Sequence, residues 1–266
     1  MHYNDRTYVM GILNITPDSF SDGGRYFYID DALKRAEVMV KDGADILDVG
    51  GESTRPQASF VSAEEELERV IPVIQKLRQN IDIPISVDTY KSVVAQEAIK
   101  AGATIINDIW GLKYDTEMAK IIALHDVQVV IMHNQEGTVY KDYLRDIVNA
   151  LQESVSIAAK AGVKRENIIL DPGFGFGKDT QQNLYLLKQM DVIKELGLPI
   201  LVGTSRKSMI GNTLHLPAQE RMEGTAATVV LAITKGANII RVHDVKEMAR
   251  VARMTDAVMQ SNLGGE

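Results

Sequence analysis

Hydrophobic residues cluster in eight short stretches along the chain, and almost every stretch ends abruptly on a polar residue. The stretches predict strands at residues 9–13, 46–49, 85–87, 104–106, 129–132, 168–170, 200–202 and 239–242. The polar residues at or just after their ends are Asn14, Asp48, Asp88, Asn107, His133, Asp171, Thr204 and Arg241. Most of the intervening segments have room for one crossover helix. The pattern predicts a single (β/α)8 TIM barrel of the α/β class, with an active site at the C-terminal ends of the strands.

Several helix boundaries are marked as well. A lysine followed by Gly-Ala and an apolar strand recurs at residues 41–46, 100–105 and 235–239. Lysine complements the negative end of the helix dipole, and glycine adopts the left-handed conformation that ends a helix. Ser62 and Glu65 before an apolar run predict a capping box. Pro72 lies inside that run, so the pattern predicts a helix that is either kinked or split there.

Composition limits the classes of protein and partner. The chain has 266 residues, of which 45% are hydrophobic, and a formal net charge of −7. A typical barrel has roughly 250 residues, so we expect residues 1–266 to form one domain. Because the chain is acidic and has no basic run, we expect it to bind neither nucleic acid nor membranes.

The sequence also carries signals about cellular compartment. It has no cysteine, which excludes disulfides and thiolate chemistry and is compatible with a reducing compartment. Residues 1–7 are polar and lack the apolar core of a secretion signal. The longest apolar window, around residues 226–233, is far shorter than the roughly 20 residues that span a bilayer. We therefore expect a soluble, cytoplasmic protein.

The first two strands run into polar loops with candidate binding residues. Residues 11–24 read GILNITPDSFSDGG and carry one aromatic residue, Phe20, so this loop can close over a site as a lid. Residues 48–56 read DVGGESTRP, where glycines allow close backbone approach and Arg55 supplies a forked cation. The alternative is that both loops are flexible connections with solvated charges.

Two aspartates lie at the ends of strongly apolar runs. A buried charge without a partner is costly, so Asp88 and Asp171 require partners. A carboxylate pairs well with a fused heterocycle that presents an amino group beside a ring N–H, much as it pairs with guanidinium. Asn107 can donate and accept hydrogen bonds at the same ring edge. The alternative is that each aspartate caps a following helix or pairs with a neighbouring lysine.

Residues 171–178 read DPGFGFGK, which is the most unusual segment of the chain. Its three glycines resemble a phosphate-binding loop, but their spacing fits neither a Walker motif nor a dinucleotide fingerprint. We therefore exclude a nucleotide-binding fold. Phe174 and Phe176 lie between glycines and can form a flat wall beside a planar ring.

The loops after the seventh and eighth strands are where barrels usually bind anionic groups. Arg241 and His243 at the end of the eighth strand fit such a role, although a lone histidine is more often structural. Lys207 can be a Schiff-base lysine or a charged donor, and its position beside Arg206 favours a donor. His133 and His125 do not form a zinc constellation. A Mg²⁺ ion held by Asn14, phosphate oxygens and water fits better.

Seven segments in order along the chain resemble the dihydropteroate synthase family. They are GILNITPDSFSDGG, DVGGESTRP, SVDT at residues 86–89, IND at residues 106–108, DPGFGFGK, TSRKS at residues 204–208 and RVHD at residues 241–244. The resemblance extends from about Val9 to Val245. It differs from the family in Gln57, where a glycine often follows the proline, which bears on the mobility of the second loop.

The resemblance implies a role for each matching position. The pterin ring would be bound by Asp88, Asn107, Met132, Asp171, Phe176, Lys207 and Arg241. The diphosphate would be bound by Asn14, Thr54, Arg55, Arg241, Val242 and His243, with the Mg²⁺ cofactor at Asn14. The 4-aminobenzoate would be bound by Phe20, Thr54, Pro56, Phe176, Lys207 and Ser208. The catalytic residues would be Asp88, Asp171 and Lys207, and the protein would be a homodimer.

The implied reaction joins a dihydropterin-methyl diphosphate to 4-aminobenzoate, giving dihydropteroate and diphosphate. Three alternatives are left open by the residues. The first is a pterin-binding methyltransferase that passes a one-carbon unit to a corrinoid protein. The second is an aldolase that uses Lys207 as a Schiff base. The third is a barrel that binds pterin without catalysis.

Overall fold

Eight parallel strands form one sheet in a computed structural model of the chain. The structure describes residues 3, 5–15, 24–52 and 60–262, with only the backbone of residues 24–27. The strands are β1 (Tyr8–Asn14), β2 (Ile46–Gly50), β3 (Ile85–Asp88), β4 (Ile105–Asp108), β5 (Gln128–Met132), β6 (Ile168–Asp171), β7 (Leu201–Val202) and β8 (Ile239–Val242). Their spatial order is β6-β5-β4-β3-β2-β1-β8-β7. A parallel bridge between Leu170 and Ile200 links β6 to the residue before β7, which completes the ring and confirms the predicted TIM barrel.

Helices connect the strands and cover the outside of the ring. They are α1 (Gly24–Asp42), α2 (Ala63–Asn80), α3 (Ser92–Ala101), α4 (Met118–His125), α5 (Tyr143–Ala161), α6 (Thr180–Lys188), α7 (Asp191–Lys194), α8 (Ser208–Leu214), α9 (Met222–Thr234) and α10 (Val245–Met259). Among the helices described, none combines the length and the apolar character needed to cross a membrane.

The predicted helix boundaries are largely present. Gly43, Gly102 and Gly236 all have positive φ, as the recurring Lys-Gly-Ala pattern predicts. The Ser62 side chain accepts a hydrogen bond from the backbone N–H of Glu65, so α2 has its predicted N-cap. In a full capping box, the Glu65 side chain would accept a hydrogen bond from the backbone N–H of Ser62. Here the Glu65 carboxylate pairs with Arg69 instead. Pro72 lies inside a continuous α2 and does not split it.

Strand ends differ from prediction by one or two residues, the larger difference being at β4, which continues to Asp108. Asn14, Asp88 and Asp171 belong to their strands, whereas the apolar pattern ends each strand one residue earlier. The cause is that ladder hydrogen bonds join backbone groups and continue whatever the side chain. In contrast, β7 has only two residues, and Ile200 joins the sheet through an isolated bridge.

Side-chain alternation divides the barrel interior into layers. One buried apolar cluster takes a residue from every strand except β3: Met10, Ile46, Ile105, Val130, Ile169, Leu201 and Ile239, with Tyr3 beside them. Residues two positions apart point to the same face of a strand. The next inward positions along these strands therefore include Asp48, Asn107, Met132, Asp171 and Arg241. The apolar layer closes the N-terminal end of the barrel, and the polar layer lies above it, towards the C-terminal ends.

Candidate active site

Four side chains from four strands meet inside the barrel. Arg241 on β8 donates from Nε to Oδ2 of Asp48 on β2, over 2.6 Å, and from Nη2 to Oδ2 of Asp88 on β3, over 2.7 Å. Asn107 on β4 donates from Nδ2 to the same Asp48 oxygen, over 3.2 Å. The strand register places Asp88 directly beside Asn107. Asp48, Asp88, Asn107 and Arg241 therefore form one connected group.

Burial and charge shape the properties of this group. Burial raises the pKa of Asp88 to about 7, although the Arg241 guanidinium opposes the shift. Burial alone would lower the pKa of Arg241, but Asp48 and Asp88 outweigh it and raise the pKa. Oδ1 of Asp88 is buried and has no hydrogen-bond partner among the described residues. A buried acceptor without a partner is costly, so this oxygen suits a ligand that donates a hydrogen bond.

The second predicted carboxylate, Asp171, lies across the barrel beside Lys207. Its Oδ1 accepts a hydrogen bond from the backbone N–H of Gly173, over 2.7 Å. Burial raises the pKa of Asp171, and the Lys207 ammonium opposes this shift. Burial has the opposite effect on a cation and lowers the pKa of Lys207 to about 8, whereas the Asp171 carboxylate acts to raise it. Arg241 also acts on both of these groups and Asp88 acts on Lys207, so both carboxylates and both cations belong to one electrostatic cluster.

Lys207 is oriented by the DPGFGFGK loop. Its Nζ donates a hydrogen bond to the carbonyl oxygen of Phe174 and lies 4.6 Å from the ring centroid of Phe176. An ammonium at this distance is attracted by the face of an aromatic ring. Phe174 itself is fully buried, so only Phe176 can serve as the predicted wall.

Apolar side chains flank the polar cluster on one side. Tyr90, Ile109 and Met132 form a small buried cluster, and Trp110 and Phe176 pack against it. Met132 is paired in register with Asp171, which places it beside the second carboxylate. The predicted walls Met132 and Phe176 thus lie on one continuous apolar surface next to the acids. A site with acids on one side and flat apolar side chains on the other suits a planar, polar-edged ring.

The predicted anion-binding residues lie around the same end of the barrel. A methyl group built on Gly50 would lie 3.6 Å from Oδ1 of Asn14 and 3.7 Å from Cβ of Asp88, so Asn14 is close to the first carboxylate. His243 follows β8, and its Nδ1 lies 3.0 Å from Oγ of Ser205. The His243 backbone N–H donates to the same hydroxyl oxygen, so Ser205 contacts both the ring and the backbone of His243.

A bidentate ion pair joins the two loops that carry the predicted anion site. Nε of Arg206 donates to Oδ2 of Asp244 over 3.0 Å, and Nη2 of Arg206 donates to Oδ1. Because Arg206 precedes Lys207 and Asp244 follows His243, this pair fixes the spacing of the predicted lysine and histidine. Two parallel hydrogen bonds give such a pair geometric specificity.

Similarity to known proteins agrees with this arrangement. The pterin binding enzyme family matches residues 10–243, a range that includes all eight strand ends. A dihydropteroate synthase of Clostridium beijerinckii is 57% identical over 257 residues, which are 96% of this chain and 96% of the relative. The chain belongs to the dihydropteroate synthase family.

Solved structures of dihydropteroate synthases have the same fold as the chain. A crystal structure of the synthase from Clostridium difficile, in the presence of pteroic acid, is 55% identical and has a TM-score of 0.96. The match covers 98% of this chain and 100% of that one. The synthase from Xanthomonas albilineans, with 4-aminobenzoic acid, is 42% identical with a TM-score of 0.92, over 97% of this chain and 95% of that one. The predicted resemblance and fold are therefore confirmed.

Two residues assigned by resemblance to dihydropteroate synthases have restricted roles. The Val242 side chain is buried in the core between strands and helices, so only its backbone can reach a diphosphate. Ser208 is exposed at the start of α8, directly after Lys207. Other positions lie outside the described residues: Phe20, Thr54, Arg55, Pro56 and Gln57. Their roles remain predictions.

Sequence reasoning assigned no role to several residues that support the site. The Asp48 carboxylate accepts hydrogen bonds from Arg241 and Asn107, although the sequence marks it only as a polar strand end. Lys178 is buried and bonds to His133, which therefore has a structural partner. Asp48 and His133 share a signal, an ionisable residue inside or directly after an apolar strand, where it requires a partner. Lys178 lies in the loop after β6 and carries no such signal.

A second buried ion-pair cluster supports the start of the loop after β2. Nζ of Lys91 lies 2.5 Å from a carboxylate oxygen of Glu52 and 2.5 Å from one of Glu66. Arg69 donates to the backbone carbonyl of Gly51 over 2.7 Å. Sequence reasoning missed this cluster because its members belong to different motifs. It fixes Gly51 and Glu52, the last described residues before the predicted diphosphate-binding Thr54 and Arg55.

Asn14 is the one protein ligand that the prediction gives to Mg²⁺. Among the described residues, no three histidines or carboxylates are grouped so as to hold a metal ion. Asn14 is half-buried and provides a hard amide oxygen beside Gly50. Mg²⁺ commonly takes only one or two protein oxygens and completes its shell with phosphate and water. The donor set therefore fits Mg²⁺ bound together with a phosphorylated substrate.

Proposed function

We propose that the chain condenses (7,8-dihydropterin-6-yl)methyl diphosphate with 4-aminobenzoate, giving 7,8-dihydropteroate and diphosphate in folate biosynthesis. The observation that carries the proposal is the barrel-mouth cluster in which Asp88 and Asp171 lie with Arg241 and Lys207 beside an apolar wall. Family membership supports it, because the related synthases have been crystallised in the presence of pteroic acid and with 4-aminobenzoic acid. The protein is therefore a transferase.

In the proposed mechanism, diphosphate leaves before the amine attacks. The bond between the methylene carbon and the bridging oxygen breaks, and its electron pair leaves with the diphosphate. Positive charge then develops on a carbon conjugated with the pterin ring. Asp88 and Asp171, as hydrogen-bond acceptors from the ring N–H groups, stabilise that charge, because fixed charges in a dry site act strongly on a developing cation.

Cationic groups stabilise the leaving diphosphate. Arg241 has five N–H donors. One on Nε and one on Nη2 donate to Asp48 and Asp88, and the others are left for the diphosphate. We propose that Arg241, His243, the Val242 backbone and Asn14 contact the diphosphate, together with Thr54 and Arg55. Asn14 would hold Mg²⁺, which would supply positive charge next to the leaving oxygens.

The arylamine then forms the new C–N bond. Its nitrogen attacks as the neutral amine and loses a proton afterwards, so the step requires no strong general base. Phe176 and Lys207 are proposed to contact 4-aminobenzoate, because the ammonium lies over the ring face at the edge of the apolar wall. Ser208, Phe20, Thr54 and Pro56 would complete this pocket. Exclusion of water by the loops would protect the cation from hydrolysis.

We also propose that the protein is a cytoplasmic homodimer. Helices α9 and α10 pack against each other and expose large apolar side chains. These are Val230 and Leu231 on α9 and Met254, Val258 and Met259 on α10. Exposed apolar patches of this kind mark association surfaces. Sedimentation velocity should give the mass of a dimer, and Leu231→Glu combined with Val258→Glu should shift it to a monomer.

One assay tests the reaction itself. The protein is incubated with the pterin diphosphate, 4-aminobenzoate and MgCl₂, and dihydropteroate is detected by mass spectrometry. We expect product and diphosphate in equal amounts, because each C–N bond formed corresponds to one diphosphate released. Folded protein that binds pterin yet forms no product would refute the proposal. Borohydride trapping on Lys207 would instead support the aldolase alternative.

A further inference from the structure

Asp48 is the most deeply buried member of the polar cluster. Its exposed fraction is 0%, and it lies within β2, two residues after the apolar layer that closes the barrel. One oxygen, Oδ2, accepts hydrogen bonds from both Arg241 and Asn107. Asp48 therefore binds two residues of the proposed pterin site, and it lies deeper in the barrel than either of them.

We infer that Asp48 is a positioning residue, which sets the orientation of Arg241 and Asn107 for pterin binding. This inference rests on the proposed function, because it concerns the pterin half of the same site. Asp48 acts through the two side chains that it holds. Precise placement of such groups by partners behind them is a general requirement of binding sites.

The effect on Asn107 follows from hydrogen-bond chemistry. An ionised carboxylate can only accept hydrogen bonds, so Asn107 must turn its Nδ2 towards Asp48. The amide oxygen of Asn107 is thereby directed away from Asp48 and offered as an acceptor. If an amide replaced the Asp48 carboxylate, it could also donate, and Asn107 could flip. The identity of residue 48 therefore determines which group Asn107 presents.

The effect on Arg241 is geometric. Asp48 accepts a hydrogen bond from Nε of Arg241, and this contact fixes the plane of the guanidinium. Nη2 of Arg241 then donates to Oδ2 of Asp88 over 2.7 Å. Asp88 consequently has one oxygen committed to Arg241 and one buried oxygen, Oδ1, without a partner among the described residues. Oδ1 of Asp48 is likewise buried without a partner among the described residues, so the cluster of β2, β3 and β8 has two acceptors to spare, and that of Asp88 lies nearer the strand end.

The test compares Asp48→Asn with a matched control, Ser86→Ala. Ser86 is paired in register with Asp48, and its hydroxyl is buried without a partner among the described residues. Calorimetry with 6-hydroxymethylpterin and steady-state kinetics with 4-aminobenzoate would be measured for each variant. We expect Asp48→Asn to weaken pterin binding by about tenfold or more, since the acceptor that holds Arg241 and Asn107 is no longer charged. We expect Ser86→Ala to retain the wild-type pterin affinity.

The two ligands separate positioning from general loss of structure. Positioning predicts that the KM for 4-aminobenzoate stays within about threefold of the wild-type value, because that pocket does not contain Asn107. Asp48 would only stabilise the barrel if the variant bound both ligands more weakly by the same factor and its melting temperature fell in proportion. Wild-type pterin affinity in folded Asp48→Asn would likewise overturn the inference.

A double-mutant cycle tests the route through Asn107. If Asp48 acts through this amide, Asp48→Asn should cost less pterin affinity in an Asn107→Ala background than in the wild type. We expect the difference to be about threefold or more, because residues in one hydrogen-bond network are not additive. Fully additive effects would exclude the route through Asn107.

A second variant covers the case in which Asp48→Asn does not fold. Asp48→Ala removes the whole carboxylate and leaves room for formate, which should restore both folding and pterin affinity. Restored folding without restored affinity would overturn the inference. The proposed function is tested separately by wild-type protein, since its failure to bind pterin or to form dihydropteroate would not depend on residue 48.

Discussion

Nζ of Lys178 lies 2.9 Å from Nδ1 of His133, and both side chains are buried. Burial lowers the pKa of Lys178 to about 7 and that of His133 to about 3. A neutral His133 accepts the hydrogen bond, so its remaining proton is on Nε2. Lys178 also donates to the carbonyl oxygens of Gly173 and Phe176, each over 2.9 Å. The contact ties the end of β5 to the loop that carries Phe176.

We expect Lys178→Met to loosen this loop. The variant leaves two backbone carbonyls without their donor, which should lower the free energy of unfolding by about 1–3 kcal/mol. It should also raise the KM for 4-aminobenzoate, since Phe176 lines that proposed pocket. Urea unfolding and steady-state kinetics measure the two effects. Lys188→Met, at an exposed lysine on α6, is the control and should change neither. Equal stability of both variants would contradict the anchoring role of Lys178.

Gly173 allows the loop to pass against the end of β5. Its φ is +72°, and an added Cβ would lie 1.9 Å from the carbonyl oxygen of His133. Gly137 has a nearly equal φ of +71° with nothing within 4 Å of an added Cβ. Gly137→Ala therefore measures backbone strain alone, for which we expect about 1 kcal/mol.

Gly173→Ala adds a backbone clash to the same strain. We expect its loss of stability to exceed that of Gly137→Ala by about 2 kcal/mol or more, because backbone atoms must shift. Melting temperatures of the two variants under identical conditions provide the comparison. Similar values would mean that the loop relaxes without cost.

Pterin affinity should depend on pH through Asp88. Burial raises its pKa to about 7; Arg241 opposes the shift, and Asp48, Glu66 and Asp108 add to it. Below this pKa the carboxyl is protonated in the free protein and loses acceptor capacity. Affinity measured by calorimetry, corrected for titration of the ligand, should therefore fall as the pH drops from about 7.5 to 6. An affinity that is constant over this range would contradict the assignment.

Lys207 should set the alkaline limit. Its pKa is lowered to about 8 by burial, so it loses its proton and its charge above that pH. Pterin affinity should decline as the pH rises from about 8 to 9. Lys207→Arg keeps the charge, because guanidinium does not deprotonate in this range. In that variant the alkaline decline should disappear, and its persistence would point to another group.

Asp171→Asn should separate binding from stability. The amide oxygen can still accept the Gly173 N–H, so the loop keeps its hydrogen bond. The variant loses the charge that faces Lys207, and we expect pterin affinity to fall by about a hundredfold, as for a charge-assisted bidentate contact. The melting temperature should change little. Undiminished pterin binding by calorimetry would contradict the proposed role.

Much of the fold could be predicted from local sequence. The apolar stretches predicted all eight strands, and the Lys-Gly-Ala pattern marked three helix ends that have positive φ. These features are readable because periodicity and capping depend on neighbouring residues. The strand ends were less certain, since polar side chains such as Asp88 do not interrupt backbone pairing.

The site was only partly readable. Asp88, Asn107, Asp171, Lys207 and Arg241 were predicted, and the structure brings them together at one end of the barrel. The sequence could not show that Arg241 binds Asp48, because these residues are 193 positions apart. The pairs Lys178 with His133 and Ser205 with His243 were missed for the same reason. Each pair joins loops or strands that become neighbours only when the barrel closes.

The sequence by itself determined the barrel, the end at which the site lies, and the residues available for chemistry. It could do so because strand periodicity is local and parallel strands all end on the same side. The tertiary structure alone decided which donor faces which acceptor. Closure of the ring brings distant strands within hydrogen-bond distance, and burial then makes each unpaired polar atom costly enough to select one arrangement. Asp48 shows the difference: its position was apparent from the sequence, but its partners were not.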